Sequence, residues 1–282
     1  MTRPFLALLI LPAMHAAQPV GSATEAAIHQ AYGRLYNFDF PGAHKILEQQ
    51  ISLSPLDPMP RAVDAAAYLF DELARLRILE FDFFNDDDKV VDRRKLIPDP
   101  AIRQKFFDEV AVVERLSNPI LANKPDDRNA LLAMCMVTGL VTDYASLIER
   151  RRFGSVSLSR RSQVYAKKLL ALNPPVYDAY LTFGSVEYVV GCIPFFLRWL
   201  VHFDGVKGSK EKAAEELQLV AEKGTYYGPF ARVLMSVIHT REKRPAEAAK
   251  LLAGLVSEYP ENPLFRKELQ HLTAMARGGS VK

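Results

Sequence analysis

The stretch that decides the fold runs from residue 177 to residue 263. It reads YDAYLTFGSVEYVVGCIPFFLRWLVHFDG (177–205), SKEKAAEELQLVAEKG (209–224), YYGPFARVLMSVIHT (226–240) and PAEAAKLLAGLVSEYPENP (245–263). The second and fourth segments share one spacing, Ala213-x3-Leu217-x7-Thr225 and Ala248-x3-Leu252-x7-Pro260. The offset from Ala213 to Ala248 is 35 residues, close to the period of about 34 residues of repeats built from two helices. The stretch therefore predicts successive helical hairpins.

The same spacing recurs earlier in the chain. Two more segments carry it, the second of them more weakly: Ala43-x3-Leu47-x7-Pro55 and Ser162-x3-Ala166-x7-Pro174. A small side chain lets a partner helix approach closely, and the residue four positions later lies on the same helix face. Four such segments in one chain indicate an internal repeat.

The rest of the chain also reads as helix. Helices are predicted from the N-cap Thr24 and over residues 41–55, 61–80, 101–117, 128–152 and 158–172, with a capping helix after residue 262. Residues 81–100 combine mixed charges with two prolines and predict a loop. No alternating strand pattern of useful length occurs, so the predicted fold is all-α, a right-handed superhelical solenoid of stacked hairpins.

The predicted organisation has five parts. They are an export signal (1–20), a first hairpin (21–58), a divergent helical region with a loop insertion (59–126), further hairpins (127–261), and a capping helix with a tail (262–282). The signal reads MTRPFLALLILPAMHAAQPV, in which Arg3 precedes a short apolar run and small residues follow. That run is too short to span a bilayer, so we expect an exported protein of the periplasm or cell envelope, with an uncleaved N-terminal anchor as the alternative.

Composition excludes several classes of protein. The net charge is +3, from 36 basic and 33 acidic residues, which is too balanced for a protein whose main task is to bind nucleic acid. The only cysteines are Cys135 and Cys192, with no CxxC motif, so zinc and iron–sulfur sites are not expected. Packing is the expected role of both, and a disulfide between them is the alternative.

No familiar catalytic or cofactor motif is present. The sequence lacks HExxH, GxSxG, a phosphate-binding Walker loop and a dinucleotide fingerprint. The acidic run at Asp82, Asp86, Asp87 and Asp88 lacks the alternation and the glycine of a calcium loop. We therefore expect no metal, no cofactor and no catalytic residues, and an enzyme without a known motif is the remote alternative.

At the quoted motifs the chain resembles the tetratricopeptide repeat family. Its C-terminal half is similar to bacterial relatives of the tetratricopeptide repeat protein 39 family, on IPFFLRWLVHFDGVKGSKEKAAEEL (193–217) and YPENPLF (259–265). The resemblance covers residues 24–57 and 177–265. It implies a binding scaffold without catalytic residues.

In stacked hairpins the first helices line the inner face, where a partner binds. Gly184 marks the packing stripe of the helix predicted at 177–203, and the neighbouring stripe together with the helix at 229–241 forms the predicted groove. Its residues are Asp178, Leu181, Ser185, Tyr188, Val233, Val237 and Thr240. A solvated or self-packed face is the alternative for these residues.

Two other features bear on function. Residues 177–203 are dense in aromatic side chains, which predicts core packing, with a small-molecule or lipid cavity as the alternative. A basic cluster comprises Arg150, Arg151, Arg152, Arg160, Arg161, Lys167 and Lys168. It suits solvated helix ends, and contact with a membrane surface or an acidic partner is its alternative. The expected function is a non-catalytic scaffold for a protein or peptide partner, and the alternative is a small-molecule or lipid carrier.

Overall fold

A computed structural model describes residues 20–81, 96–150, 154–192 and 208–278 of the 282-residue chain. Within these ranges the chain forms eleven α-helices and no β-strand, which confirms the all-α prediction. The helices are α1 (Val20–Tyr36), α2 (Phe40–Leu53), α3 (Pro58–Arg75), α4 (Pro100–Asn123), α5 (Arg128–Asp143), α6 (Gly154–Leu170), α7 (Tyr180–Cys192), α8 (Lys210–Lys223), α9 (Gly228–Arg241), α10 (Pro245–Glu258) and α11 (Pro263–Gly278). A π-helical turn (Tyr144–Ile148) follows α5, and a 3-10 turn (Tyr177–Ala179) precedes α7.

Asp-Pro dipeptides start two of these helices. Asp57 and Asp99 each accept a hydrogen bond from the backbone N–H two residues later, at 2.9 and 2.7 Å, and a proline follows each aspartate. Proline suits the first helical position because the N–H that it lacks has no partner within the helix there. The local sequence therefore sets where α3 and α4 begin.

The repeated small-x3-apolar spacing lies at contacts between helices. Its members are fully buried on α2, α8 and α10, and nearly so on α6; they are Ala43, Leu47, Ala213, Leu217, Ala248, Leu252, Ser162 and Ala166. Each of these helices packs against the helix that precedes it in the chain, namely α1, α7, α9 and α5. The spacing thus marks the second helix of these four hairpins.

Successive hairpins stack on one another. Helix α3 packs against α1, α2 and α4, α5 packs against α3 and α4, α9 packs against α8, and α11 packs against α10. The largest hydrophobic core extends from α1 to the 3-10 turn at residues 177–179. A second core joins α8 to α9, and a third joins α9, α10 and α11.

The first hairpin also contacts the last ones. The Tyr36 hydroxyl donates to the carbonyl of Tyr226 at 3.0 Å, and the Asn262 side-chain amide donates to the carbonyl of Tyr36 at 2.7 Å. The ring of Tyr32 stacks on that of Tyr226, with centroids 5.4 Å apart. In an open solenoid each repeat contacts only its neighbours, so these long-range contacts depart from that pattern.

Several helix bounds differ from the sequence prediction. Helix α1 begins at Val20 rather than after Thr24, whose hydroxyl accepts a hydrogen bond from the Gln50 amide at 2.8 Å instead of capping the helix. The helix predicted at 128–152 ends at Asp143 in a π-helical turn. The predicted signal falls outside the described residues except for Val20, and so does most of the 81–100 loop.

Among the residues that the structure describes, one stretch, Arg128–Ile148, is long and apolar enough to cross a membrane by length and composition, with a mean hydropathy of 1.7 over its most apolar window. It comprises α5 and the π-helical turn, and 67% of that window is buried inside the protein. Its apolar surface therefore packs against α3, α4 and α6 in the largest core.

Candidate functional site

The predicted groove residues lie in three different surroundings. Leu181 and Tyr188 of α7 are half-buried and pack against the α8–α9 core, which includes Leu217 and Ala231. Ser185 is half-buried on the same helix, and the spacing of 181, 185 and 188 puts all three residues on one face. The structure therefore keeps these three together beside α8 and α9.

The predicted packing stripe at Gly184 is confirmed. A Cβ atom at this position would lie 3.0 Å from Cγ of Leu217 and 3.3 Å from the carbonyl oxygen of Ala213. Both neighbours belong to the repeated spacing on α8. The absence of a side chain at Gly184 is therefore what lets α7 and α8 approach.

Asp178 does not line a groove, which corrects the prediction. Its side chain is 1% exposed. The carboxylate accepts three backbone hydrogen bonds from the turn before α9, from Thr225 at 2.7 Å, Tyr226 at 2.9 Å and Tyr227 at 2.8 Å. Both carboxylate oxygens accept hydrogen bonds inside the protein and the residue is buried, so Asp178 supports the start of α9 and is not exposed to a partner.

The groove residues of α9 are largely covered by the chain itself. Val237 is buried and Val233 half-buried in the α9–α10–α11 core, to which Phe81 also belongs. The Thr240 hydroxyl donates to the carbonyl of Ser236 at 2.8 Å. Phe81 is the first residue of the 81–100 segment, and it belongs to the same core as Val237.

What remains is a smaller surface, which we call the α7–α9 site: Ser185, Tyr188, Lys210 and Glu242. The ammonium of Lys210, at the start of α8, lies 5.8 Å from the ring centroid of Tyr188. It also lies 3.8 Å from a carboxylate oxygen of Glu242, which ends α9. The site therefore combines an aromatic ring, a cation that lies within cation–π distance of that ring, and an anion beside the cation.

Sequence reasoning missed Lys210 and Glu242. They stand at the ends of two different helices. Lys210 reaches Tyr188, and Glu242 reaches Lys210, only because α8 packs against both α7 and α9. No local spacing signals this, since the three residues are far apart in the chain.

A buried carboxylate holds the start of α8 in place. Glu187 accepts hydrogen bonds from the backbone N–H groups of Gly208 at 2.7 Å and Ser209 at 3.0 Å. Its other oxygen receives the ammonium of Lys212 at 2.8 Å, and this bond raises the pKa of Lys212. Burial raises the pKa of the neighbouring carboxyl of Glu216. Because Ser209 is the N-cap of α8, Glu187 fixes where Lys210 meets Tyr188.

The same device occurs in an earlier hairpin. Glu72 of α3 is buried and accepts the backbone N–H of Asp99 at 2.8 Å, directly before α4. Arg75 pairs with the same carboxylate at 2.7 Å. In both hairpins a buried glutamate of the first helix therefore anchors the N-cap region of the second.

The basic cluster is partly neutralised. Arg161 pairs with Glu114 at 2.8 Å. Lys167 and Lys168 are exposed in the last turn of α6, as cations at a helix C-terminus tend to be. Arg151 and Arg152 lie outside the described residues.

Cys135 has a free thiol, so the alternative of a disulfide with Cys192 is not realised. Its sulfur lies 3.7 Å from the hydroxyl oxygen of Thr182 and 3.9 Å from that of Ser162. Burial raises the pKa of this thiol, which favours the unreactive protonated form. Packing is the role that the surroundings support.

Two further features of the sequence analysis concern ligands. Among the residues that the structure describes, no group of three or more His, Cys, Asp or Glu side chains is placed to hold a metal ion. The aromatic residues Phe195, Phe196, Trp199 and Phe203 of the alternative carrier cavity lie outside those residues. Neither a protein-family model nor a curated protein matches the chain.

Proposed function

We propose that this protein is a non-catalytic scaffold of the tetratricopeptide type, a right-handed superhelix of hairpins that binds a protein or peptide partner in the cell envelope. The observation that supports it best is the burial of the repeated small-x3-apolar spacing in α2, α6, α8 and α10. Stacked hairpins of this kind present extended surfaces for recognition.

The partner binds at the α7–α9 site. Gly184 packs against α8, Glu187 anchors the start of α8, and Asp178 anchors the turn before α9. Because these buried contacts already order the three helices, partner binding need not order the scaffold and loses less entropy. The ring of Tyr188 supplies apolar contact area, and Lys210 and Glu242 supply charged contacts at its edge.

Export to the envelope belongs to the same proposal and rests on residues 1–20. Fractionation of the native cells, with N-terminal sequencing of the mature protein, tests it. A mature protein in the envelope fraction supports export, and an intact N-terminus in the cytoplasmic fraction refutes it.

A photo-crosslinking pair tests the binding site. A photoreactive amino acid is placed at Ser185 in the α7–α9 site, and in a matched variant at Gln218, which is exposed on α8. We expect one dominant partner adduct from position 185, confirmed with the purified partner, and a loss of that adduct in Tyr188→Ala. Equal adducts from both positions, or none from position 185, would refute the site.

A further inference from the structure

A second surface of the molecule forms a cleft between α4, α5 and α6. Its volume is about 170 Å³. It is lined by Phe107, Val110 and Glu114 of α4, by Val137, Thr138 and Val141 of α5, and by Arg161 of α6. We call it the α4–α6 cleft.

The inside of the cleft is apolar. The one hydroxyl in its lining, on Thr138, donates to the carbonyl of Met134 at 2.6 Å and is therefore satisfied within α5. The only charged groups of the lining are Glu114 and Arg161, which pair at 2.8 Å and connect α4 to α6. A ligand that enters the cleft thus meets apolar walls and one ion pair.

The aromatic wall of the cleft is held rigidly. The ring of Phe107 contacts Phe106, with centroids 4.8 Å apart, and Tyr144, with centroids 5.1 Å apart. The guanidinium of Arg103 lies 4.8 Å from the ring centroid of Phe107. The π-helical turn that ends α5 places Tyr144 against these rings. The cleft is therefore preformed and needs no rearrangement to accept a side chain.

The size of the cleft limits what fits. An engineered apolar cavity of about 150 Å³ in another protein accepts benzene. The α4–α6 cleft thus has room for one large apolar side chain, such as phenylalanine or leucine. This volume is too small for the whole acyl chain of a membrane lipid, which favours a protein as the source of the occupant.

The helix that forms one wall of the cleft is basic. Helix α6 carries four cations and no carboxylate: Arg160, Arg161, Lys167 and Lys168. Arg161 is 51% exposed and its partner Glu114 is 33% exposed, and a solvent-exposed ion pair of this kind stabilises a protein only weakly. Arg161 can therefore turn to a carboxylate of a ligand at little cost, and Lys168 lies two helical turns along on the same face.

We propose that the α4–α6 cleft is a second docking site, which takes one large apolar side chain from an acidic segment of a protein partner. The apolar side chain fills the space beside Phe107 and Val141, and acidic residues next to it in the segment pair with Arg161 and Lys168. The inference goes beyond the proposed function because it uses different helices from the α7–α9 site. It rests on that function only in taking the partner to be a protein.

Selection of peptides against the full chain tests the proposal. A phage-displayed library of random linear peptides is enriched on the purified protein, and enriched peptides are labelled with a fluorophore and titrated by anisotropy. We expect them to share an aromatic or leucine residue flanked by aspartate or glutamate. Filling the cleft with Val141→Phe is expected to weaken their binding about tenfold or more, since it displaces the buried side chain.

Two matched controls make the result specific. Val164→Phe makes the same change on α6 at an exposed residue outside the cleft lining, and it is expected to leave affinity within about twofold. Arg161→Glu is expected to weaken binding about tenfold, whereas Lys167→Glu, the same charge change on another face of α6, changes it far less. Arg161 is exposed, so its variant tests the inference even if Val141→Phe does not fold.

Each other outcome overturns the inference. If the enriched peptides lose binding in Tyr188→Ala but bind both cleft variants as before, the cleft is not a docking site and the proposed function is unaffected. If no peptide is enriched, the cleft is also refuted as a docking site. The photo-crosslinking at Ser185 then tests the proposed function separately. Binding to phosphatidylglycerol vesicles that needs Arg161 and an open cleft, with no peptide binding, would identify an anionic lipid as the occupant instead.

Discussion

Removing the carboxylate of Asp178 is expected to destabilise the protein more than any surface substitution. This side chain is buried and receives the backbone N–H groups of Thr225, Tyr226 and Tyr227 at 2.7 to 2.9 Å. The same turn carries the ring of Tyr226, which stacks on Tyr32 of α1. The perturbation therefore reaches both α9 and the contact between the first and last hairpins.

The magnitude follows from the number of donors left without an acceptor. Asp178→Ala leaves three, and removing one partner of a buried charged network costs about 3–5 kcal/mol. Asp178→Asn keeps one carbonyl oxygen that can accept the N–H groups of Tyr226 and Tyr227. Its NH₂ group then faces the N–H of Thr225, so that two donors meet without an acceptor. This variant is expected to lose about 2 kcal/mol.

Urea unfolding followed by circular dichroism measures the loss, and hydrogen exchange locates it. In Asp178→Ala the amides of residues 225–227 should exchange faster than in the parent protein, because they have lost their acceptor, and in Asp178→Asn the amide of Thr225 should do so. Asp126→Asn, at an exposed aspartate in the turn between α4 and α5, is the matched control and should change stability by less than about 0.5 kcal/mol.

The reasoning is refuted if Asp178→Ala is as stable as the parent, or if the control loses as much. Asp178→Ala without faster exchange at residues 225–227 would also refute it, since the turn would then be held by other contacts.

Three further predictions concern stability. Gly224→Ala should destabilise the protein in thermal melts, because its Cβ would lie 2.6 Å from a backbone carbonyl oxygen. Gly33→Ala, in the interior of α1 with no atom within 4 Å of the new Cβ, should stabilise the protein by about 0.5–1 kcal/mol. An equal effect of the two substitutions would contradict the packing. Burial is the main cause that lowers the pKa of His239, and the charge of Arg244 lowers it further. The contribution of the neutral His239 to the free energy of unfolding should therefore be complete above the unfolded-state pKa of about 6.5, and it should be lost as the pH falls toward the lower pKa of the folded state. His239→Gln should flatten this fall in unfolding midpoints measured from about pH 8 to about pH 5.5, and an unchanged slope would exclude His239 as its cause. Glu187→Gln should lose about 2 kcal/mol in urea unfolding and increase proteolysis near residue 208, and unchanged stability would show that the start of α8 needs no anchor.

The groove prediction shows where helical periodicity stops being informative. An unbroken helix over 177–203 puts Asp178 on one stripe with Leu181 and Ser185. In the structure residues 177–179 form a 3-10 turn, which has fewer residues per turn than an α-helix. The phase of α7 therefore does not extend back to Asp178, and its carboxylate reaches the turn before α9 instead.

The remaining site residues depended on contacts between distant segments. Phe81 joins the core of α9, α10 and α11, Lys210 of α8 meets Tyr188 of α7, and Glu242 at the end of α9 meets Lys210. Tyr188 and Lys210 are 22 positions apart in the chain, and Tyr36 and Tyr226 are 190 positions apart. Spacing within one helix carries no signal for them.

The sequence by itself determined the helices and their pairing. Ala213 and Leu217, and the equivalent pairs, are spaced by one helical turn, and Asp57 and Asp99 cap the helices that follow them; both effects act within a few residues. Only the tertiary structure decided which faces are covered, because burial of Asp178, Val237 and Phe81 depends on how hairpins far apart in the chain pack. Helix formation and capping depend on residues a few positions apart, whereas the exposure of a helix face depends on the packing of all the hairpins together.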